Sequence, residues 1–381
     1  MFYNKYLINN LYKSFNILIS PLDWGLGHAT RCIPIINQLI KQGNNVFIAG
    51  EGNIKALLKS EFPQVTFLPL QGYNIKYAKQ KKWLILKILI QIPRIIYIIL
   101  KEHQWLKNTI RTYSINAVIS DNRFGLYTTE VPCVYITHQL HIKAGNNLIE
   151  KIIIYIHQFF INKYTECWIP DFEGCKNIAG ELSHPSSIHT NVKYIGCLSR
   201  FHLIENVQIK YDLLIILSGP EPQRTIFEKI LLQQLNKFKR TVLFIRGLPG
   251  ADVPFSNGEI IFLKTTPKIE IKNHLNSVEL NLAIQQSEIV IIRSGYTTVM
   301  DLIKLNKKAI LIPTPGQTEQ EYLAKHLMNN KIFYTENQSE FKLNNALDKA
   351  AKLNFSIEKL HMNQYIKIVD KFLDKLKNLN S

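Results

Sequence analysis

Residues 17–41 read ILISPLDWGLGHATRCIPIINQLIK, a strand, a glycine turn and a helix in succession. Ile17 to Ser20 is a short apolar run, and Gly25 and Gly27 follow it in a turn. From Ala29 to Lys41 the apolar residues Ile33, Ile36, Leu39 and Ile40 recur at helical spacing. The same grammar continues downstream. Asn45–Ala49, Val65–Leu68, Ala117–Ser120 and Cys133–Thr137 are further strand candidates. It restarts after about residue 205 with Leu213–Leu217, Val242–Ile245, Ile260–Leu263, Ile289–Ile292, Ala309–Ile312 and Ile332–Tyr334. Buried Val and Ile runs that alternate with helices require a parallel sheet covered on both faces. The expectation is two doubly wound α/β domains, 1–204 and 205–381, facing a central cleft. The polar stretch Ser199–Lys210 is the expected linker, and the last helix is a candidate to return to the first domain.

Composition agrees with folded domains. The chain has 381 residues, 46% hydrophobic and 20% charged, enough for sizeable cores. Lys and Arg number 46 against 29 acids, a formal net charge of +17. Only nine of the cations are Arg, which favours a diffuse lysine surface for a polyanion over bidentate base reading. Five cysteines with no CxxC pair argue against a disulfide framework or structural zinc and for a reducing cytoplasm. The opening MFYNKYLINNLYKSFN lacks the apolar core of a secretory signal. No run of 18 uncharged apolar residues occurs, so the expected state is soluble or peripheral.

Ligands of such sheets sit beyond the carboxyl ends of strands, so four loops matter. The first, Pro21–Arg31, places Gly25, Gly27 and His28 at a helix start. Free N–H groups there suit an anion, and His suits proton removal near neutral pH. The second, Leu217–Arg224, offers Ser218 and Gly219 to phosphate oxygens, with Pro222 suited to the next helix's first turn. In the third, IIRSGYTTVMDL (291–302), Ser294 and Gly295 form a turn. Thr297 and Thr298 sit at the helix start, one as the expected N-cap, a diphosphate seat. Asp301, one turn on, can accept from vicinal ribose hydroxyls or simply favour the helix dipole. The fourth, Ile312–Leu323, ends in Gln317, Glu319, Gln320 and Glu321, side chains suited to sugar hydroxyls.

At these loops the chain resembles the GT-B glycosyltransferases of family 28, the group containing MurG. It is also similar to predicted glycosyltransferases with a W-G-x-G-H-A-x-R opening, here Trp24 to Arg31. The resemblance implies acceptor or pyrophosphate contacts at Gly25, Gly27 and His28, with Asp23 and Arg31 on the acceptor side. It implies phosphate contacts at Ser218 and Gly219. Arg293, Ser294, Gly295, Thr297 and Thr298 would form the donor turn, and the ribose carboxylate, Glu in the family, falls on Asp301. The donor-sugar pair falls on Gln320 and Glu321. Backbone near Asn276–Val278 would read uracil, and Arg246 would flank the base. The implied reaction is an inverting transfer from a UDP-sugar to a hydroxyl, without metal or other cofactor. His28 is the first candidate base and Asp121, after the fourth strand, the second. His138, after the fifth, would line the acceptor side.

Residues 76–111 carry nine cations (Lys76, Lys79, Lys81, Lys82, Lys87, Arg94, Lys101, Lys107, Arg111) and one acid, Glu102. Lys87, Arg94 and Lys101 recur every seven residues and share a helical face. Trp83 and Trp105 lie near the ends, and Pro93 is positioned to kink or split the helix. Such a segment fits an anionic membrane surface. With the resemblance, it implies a lipid-linked or glycan acceptor and a peripheral place at the inner face of the cell membrane. Two other readings stand beside it: a sugar-nucleotide epimerase on the same scaffold, and a basic nucleic-acid-binding protein. The second lacks a helix-turn-helix, finger or RNP signature.

Overall fold

The computed structural model describes residues 14–73, 84–143, 146–185, 191–248, 268–355 and 360–379. Lys76 to Trp83 and the strand candidate Ile260–Leu263 lie outside the described residues.

The first sheet contains β1 (Asn16–Pro21), β2 (Asn45–Ala49), β3 (Thr66–Leu68), β4 (Ala117–Asp121), β5 (Cys133–Ile136), β6 (Glu166–Ile169) and β7 (Val192–Tyr194). Their order is β3-β2-β1-β4-β5-β6-β7. The second contains β8 (Tyr211–Ile216), β9 (Val242–Ile245), β10 (Ile269–Lys272), β11 (Ser287–Ile292), β12 (Ala309–Leu311) and β13 (Tyr334–Thr335), ordered β10-β9-β8-β11-β12-β13. The registered pairs run parallel. Each order reverses once, at β1/β4 and at β8/β11, and a crevice opens outside the strand ends at such a switch point.

The helices are α1 (Leu26–Lys41), α2 (Gly52–Glu61), α3 (Leu84–Tyr113), α4 (Asn147–Ile161), α5 (Gln223–Leu235), α6 (Ser277–Gln285), α7 (Tyr296–Lys304), α8 (Thr318–Asn329), α9 (Leu343–Lys352) and α10 (Gln364–Leu379). Helix α3 is one continuous 30-residue element with Pro93 inside it. Strand β6 (ECWI) and the short β7 and β10 are additions to the strands expected from sequence.

Chain contacts divide the fold into two compact units. One comprises Met1–Ile136, Ile161–Cys167 and Tyr365–Ser381, the other Thr137–Phe160 and Trp168–Gln364. Residues 199–210, the expected linker, therefore fall inside the second unit. In the first unit, Gln38 on α1 donates through Nε2 to Asp370 at 2.8 Å, and Lys375 pairs with Glu166 at 2.7 Å.

The second unit shows why the inner stretches of its central strands are apolar. Leu213, Ile215, Phe244, Ile291 and Ile310 face a core with Phe227, Leu231 and Leu235 of α5 and Ala346 of α9. The alternate residues Leu214, Ile216, Leu243, Val290 and Leu311 face another with Ile284, Val299, Ile303, Leu323 and Leu327. Period-two alternation with both faces covered leaves no position for a polar side chain mid-strand.

Candidate active site

In the first unit, the switch point brings the first loop to Asp121. Pro21 lies opposite Asp121 in the β1/β4 register, so α1 starts beside the end of β4. Gly25, the residue before α1, has φ +142°. His28 follows in the first turn, with Nδ1 2.9 Å from Asp121 Oδ1. Arg31, one turn on, donates through Nε to Asp121 Oδ2 at 2.5 Å and through Nη2 to Oδ1. Cys32 Sγ is a further donor at 3.6 Å. Asp121 and Arg31 are buried. Burial alone would raise the Asp121 carboxyl, but Arg31 and then His28 outweigh it and hold it well below the usual carboxylate range. His28 Nδ1 faces both the Asp121 carboxylate and, at 2.8 Å, the Arg31 Nη2 donor, so its role turns on the tautomer; in the tautomer that donates Nδ1–H to Asp121, Nε2 is the basic nitrogen of the ring. Asp23 points elsewhere: its Oδ1 accepts from Tyr73 N at 3.0 Å, and its carboxylate fills the space a Cβ at Gly72 would need.

In the second unit, the loops after β8, β11 and β12 meet around one guanidinium. Arg293 is buried and reaches five neutral oxygens: Gln338 Oε1 (2.6 Å), Gln223 O (3.1 Å), Ile312 O (3.3 Å), Pro313 O (3.4 Å) and Ser218 O (3.5 Å). None is a carboxylate, and burial lowers its pKa to about 10. Gly219 has φ +96°, and a Cβ there would lie 3.4 Å from Thr314 Oγ1. That hydroxyl is buried and has no hydrogen-bond partner among the described residues.

Gly295 is the N-cap of α7, so Tyr296, not a threonine, opens the helix. The strand runs to Ile292 and only three residues make the turn. Thr297 and Thr298 fall inside the first helical turn, both partly exposed. Ser294 is buried and donates to Gln320 O at 3.0 Å, joining this turn to the start of α8. Asp301, partly buried, accepts from Ser199 Oγ at 2.5 Å. Burial pushes its carboxyl up to about 7, against the pull of Ser199 and Arg200.

The remaining predicted residues have structural partners. Gln320 Oε1 accepts from Thr314 N at 2.9 Å and Glu321 Oε1 from Gly316 N at 2.8 Å, so both close the loop after β12. Arg246 is buried against Glu228 at 2.5 Å, and Arg224 shares that carboxylate at 3.0 Å. Arg246, the residue expected to flank a base, thus has its guanidinium in a buried ion pair and also donates to Asn273 Oδ1 at 3.2 Å. Asn276 caps α6 in a reciprocal capping box with Glu279. Sequence reasoning missed the partners Ser199, Tyr296 and Thr314, which no local spacing marks. His138 stacks on Tyr296, ring centroids 4.2 Å apart, and bonds Glu319 at 2.9 Å. Among the described residues, no group of three or more His, Cys, Asp or Glu side chains could hold a metal ion.

Residues 213–375 match the model of the glycosyltransferase family 28 C-terminal domain. The chain is a glycosyltransferase of GT-B fold. The family resemblance read from RSGYTTVMDL thus holds over the part of this glycosyltransferase that carries that motif. Among solved structures, a kitacinnamycin glycotransferase aligns at TM-score 0.62 and 10% identity, covering 96% of each chain. MurG of Acinetobacter baumannii aligns at 0.54 and 11%, covering 96% of this chain and 95% of its own. The glycosyltransferase VinC in complex with dTDP aligns at 0.54 and 10%, covering 95% of each. No curated protein sequence matches the glycosyltransferase.

Proposed function

We propose that the chain is an inverting glycosyltransferase that moves a hexose or N-acetylhexosamine from a nucleoside-diphosphate sugar to a hydroxyl. The observation that carries this reading is the buried Arg293 beneath Ser218, Gly219 and Thr314, a fixed cation whose hydrogen-bond partners among the described residues are all neutral. A departing diphosphate gains most from a preorganised positive charge in a dry site. Ser218, the Thr314 hydroxyl and the amides of the 294–298 turn would hold its oxygens, and Asp301 would take the ribose hydroxyls.

His28 is the proposed base. Its Nε2 takes the acceptor proton while Asp121 and Arg31 fix the ring, so Asp121 positions and does not itself accept the proton. No step needs a bound cofactor. UDP is the first donor to test on the family resemblance, and dTDP the second on the likeness to VinC.

The acceptor reading is lipid-linked, at an anionic membrane surface. On α3, Arg94 and Lys101 are exposed together with Ile90 (71%), Ile96, Tyr97 and Leu100. Apolar and cationic groups on one exposed helix suit an interfacial position. On α4, Leu148, Ile152, Tyr155, Ile156 and Phe159 are also exposed. No described helix is long and apolar enough to cross a membrane.

A thermal-shift panel of UDP, dTDP, GDP and ADP tests the donor reading. A ligand at about 100 times its Kd adds roughly 2.7 kcal/mol. Stabilisation by UDP or dTDP is expected, and stabilisation by none of the four overturns it.

A further inference from the structure

Resting on the reading of His28 as the base, we propose that Tyr73 is a positioning residue that sets the His28–Asp121 contact by gripping both loops that carry it. The two loops leave neighbouring strand ends, since Pro21 lies opposite Asp121 in the β1/β4 register. The first runs through Trp24, Gly25 and Leu26, all exposed, before it reaches His28. The second turns sharply after Asp121, where Asn122 has φ +56°. A left-handed conformation is uncommon outside glycine and persists where neighbours hold it. The 2.9 Å separation of His28 Nδ1 and Asp121 Oδ1 thus depends on how the two loops are held against each other.

Tyr73 reaches both. Its backbone N–H donates to Asp23 Oδ1 at 3.0 Å, in the loop that leads to His28. Its phenol oxygen accepts from Phe124 N at 3.0 Å, in the loop that leaves Asp121. The same hydroxyl donates to Glu102 Oε2 on α3 at 2.8 Å. Glu102 also accepts from Gly125 N at 3.0 Å and from Arg123 Nε at 2.8 Å. One hydroxyl, donating once and accepting once, therefore joins the turn after Asp121 to a carboxylate that holds two more of its residues. Tyr73, Glu102 and Arg123 are buried, so water does not replace a bond that is lost. The backbone of α3 lies directly against this turn: a Cβ at Gly125 would stand 2.4 Å from Ile99 O.

The grip matters at the base because proton transfer needs a fixed geometry. A base must lie within hydrogen-bond reach of the proton it takes. A misplacement of about 1 Å caused far from the reacting atoms can cost about 10²-fold in rate. Without the phenol oxygen, Phe124 N loses its acceptor and Glu102 one of its donors, and the turn after Asp121 is free to settle elsewhere. Without the Asp23 carboxylate, the other loop comes away from the Tyr73 backbone. Either change shifts the imidazole relative to the Asp121 carboxylate while both groups stay chemically intact.

The test is nitrogen-15 NMR of the full chain labelled at histidine, read at the ring nitrogens. The His28 signals are those lost in His28→Ala. The variants are Tyr73→Phe, which drops only the hydroxyl, and Asp23→Ala, at a half-buried position; should one of them unfold, the other decides. We expect both to move the His28 signals and to leave those of His184 and His326, in the second unit, in place. Release of UDP from UDP-N-acetylglucosamine, with water in place of the acceptor, should lose about tenfold or more in kcat at an unchanged KM. Unmoved His28 signals in either variant, at a thermal midpoint within a few degrees of the unaltered chain, would overturn the role of Tyr73. Moved signals with an undiminished kcat would instead overturn His28 as the base, while the Tyr73 brace stands.

Discussion

Ser199 donates its hydroxyl to Asp301 Oδ1 at 2.5 Å, across 102 positions of sequence. The carboxyl that receives it is pushed by burial to about 7, while an unfolded Asp titrates near about 3.9. Between those values the folded chain keeps a proton that the unfolded chain has lost. Stability should therefore fall as pH rises from about 4 to about 7, and level off above. Asp301→Asn should flatten that decline, by up to about 1 kcal/mol per pH unit. Urea denaturation at pH 5, 6, 7 and 8 reads it, and equal slopes in both proteins would contradict it.

His28→Ala should lower the transfer rate by about 10² to 10⁴ and leave nucleotide affinity unchanged. Asp121→Asn should cost more. It removes the anion from buried Arg31, a loss of about 3 kcal/mol, as well as the partner of His28 Nδ1. Because the Asp121 carboxyl is held low, its stabilisation is complete above about pH 4 and drains away only as pH falls further. Turnover at the original rate in His28→Ala would remove the base assignment.

Arg293→Met should weaken UDP or dTDP binding by tenfold or more, since the fixed charge disappears and Gln338 and the Gln223 carbonyl lose their donor. Arg293→Lys should recover only part of the loss, because one ammonium cannot reach five acceptors. Calorimetry with the nucleoside diphosphate alone separates this from any effect on catalysis.

Gly247→Ala should destabilise the second unit by about 3 kcal/mol. Gly247 has φ +70°, and a Cβ would stand 2.1 Å from the Leu217 carbonyl oxygen. Something in the backbone ahead of Ser218 would have to move, so nucleotide affinity should fall together with the denaturation midpoint.

Sedimentation with anionic vesicles, reversed by high salt, is the expectation for α3. Ile96→Asp with Tyr97→Asp should abolish it while the thermal midpoint stays within a few degrees, as both side chains are exposed. Cosedimentation that ignores both the salt and the substitutions would count against the membrane reading.

Much of the sheet was legible because its strands are unbroken runs of Ile, Leu and Val. Val242–Ile245 and Asn45–Ala49 needed no revision. Strand β6 was harder, since ECWI mixes an acid into four residues, and β10 alternates apolar with charged. Pro93 left a kink or a split open, and α3 is not split there, as a helix can continue through proline at the cost of one hydrogen bond and a local bend. At the site, His28 and Asp121 were each singled out, but as rivals. Their pairing is made by strand order, which places β4 next to β1, and no local spacing encodes it. The Glu228 partner of Arg246 is likewise supplied by the fold and by no local spacing.

The tail after Gln364 packs with the opening half of the chain, through Asp370 on Gln38 and Lys375 on Glu166. A recombinant fragment cut at one point in the middle would thus carry off a piece of its neighbour's scaffold. Hybrids built by exchanging halves with a relative must splice twice, and a stop codon near the end would injure residues encoded at the beginning.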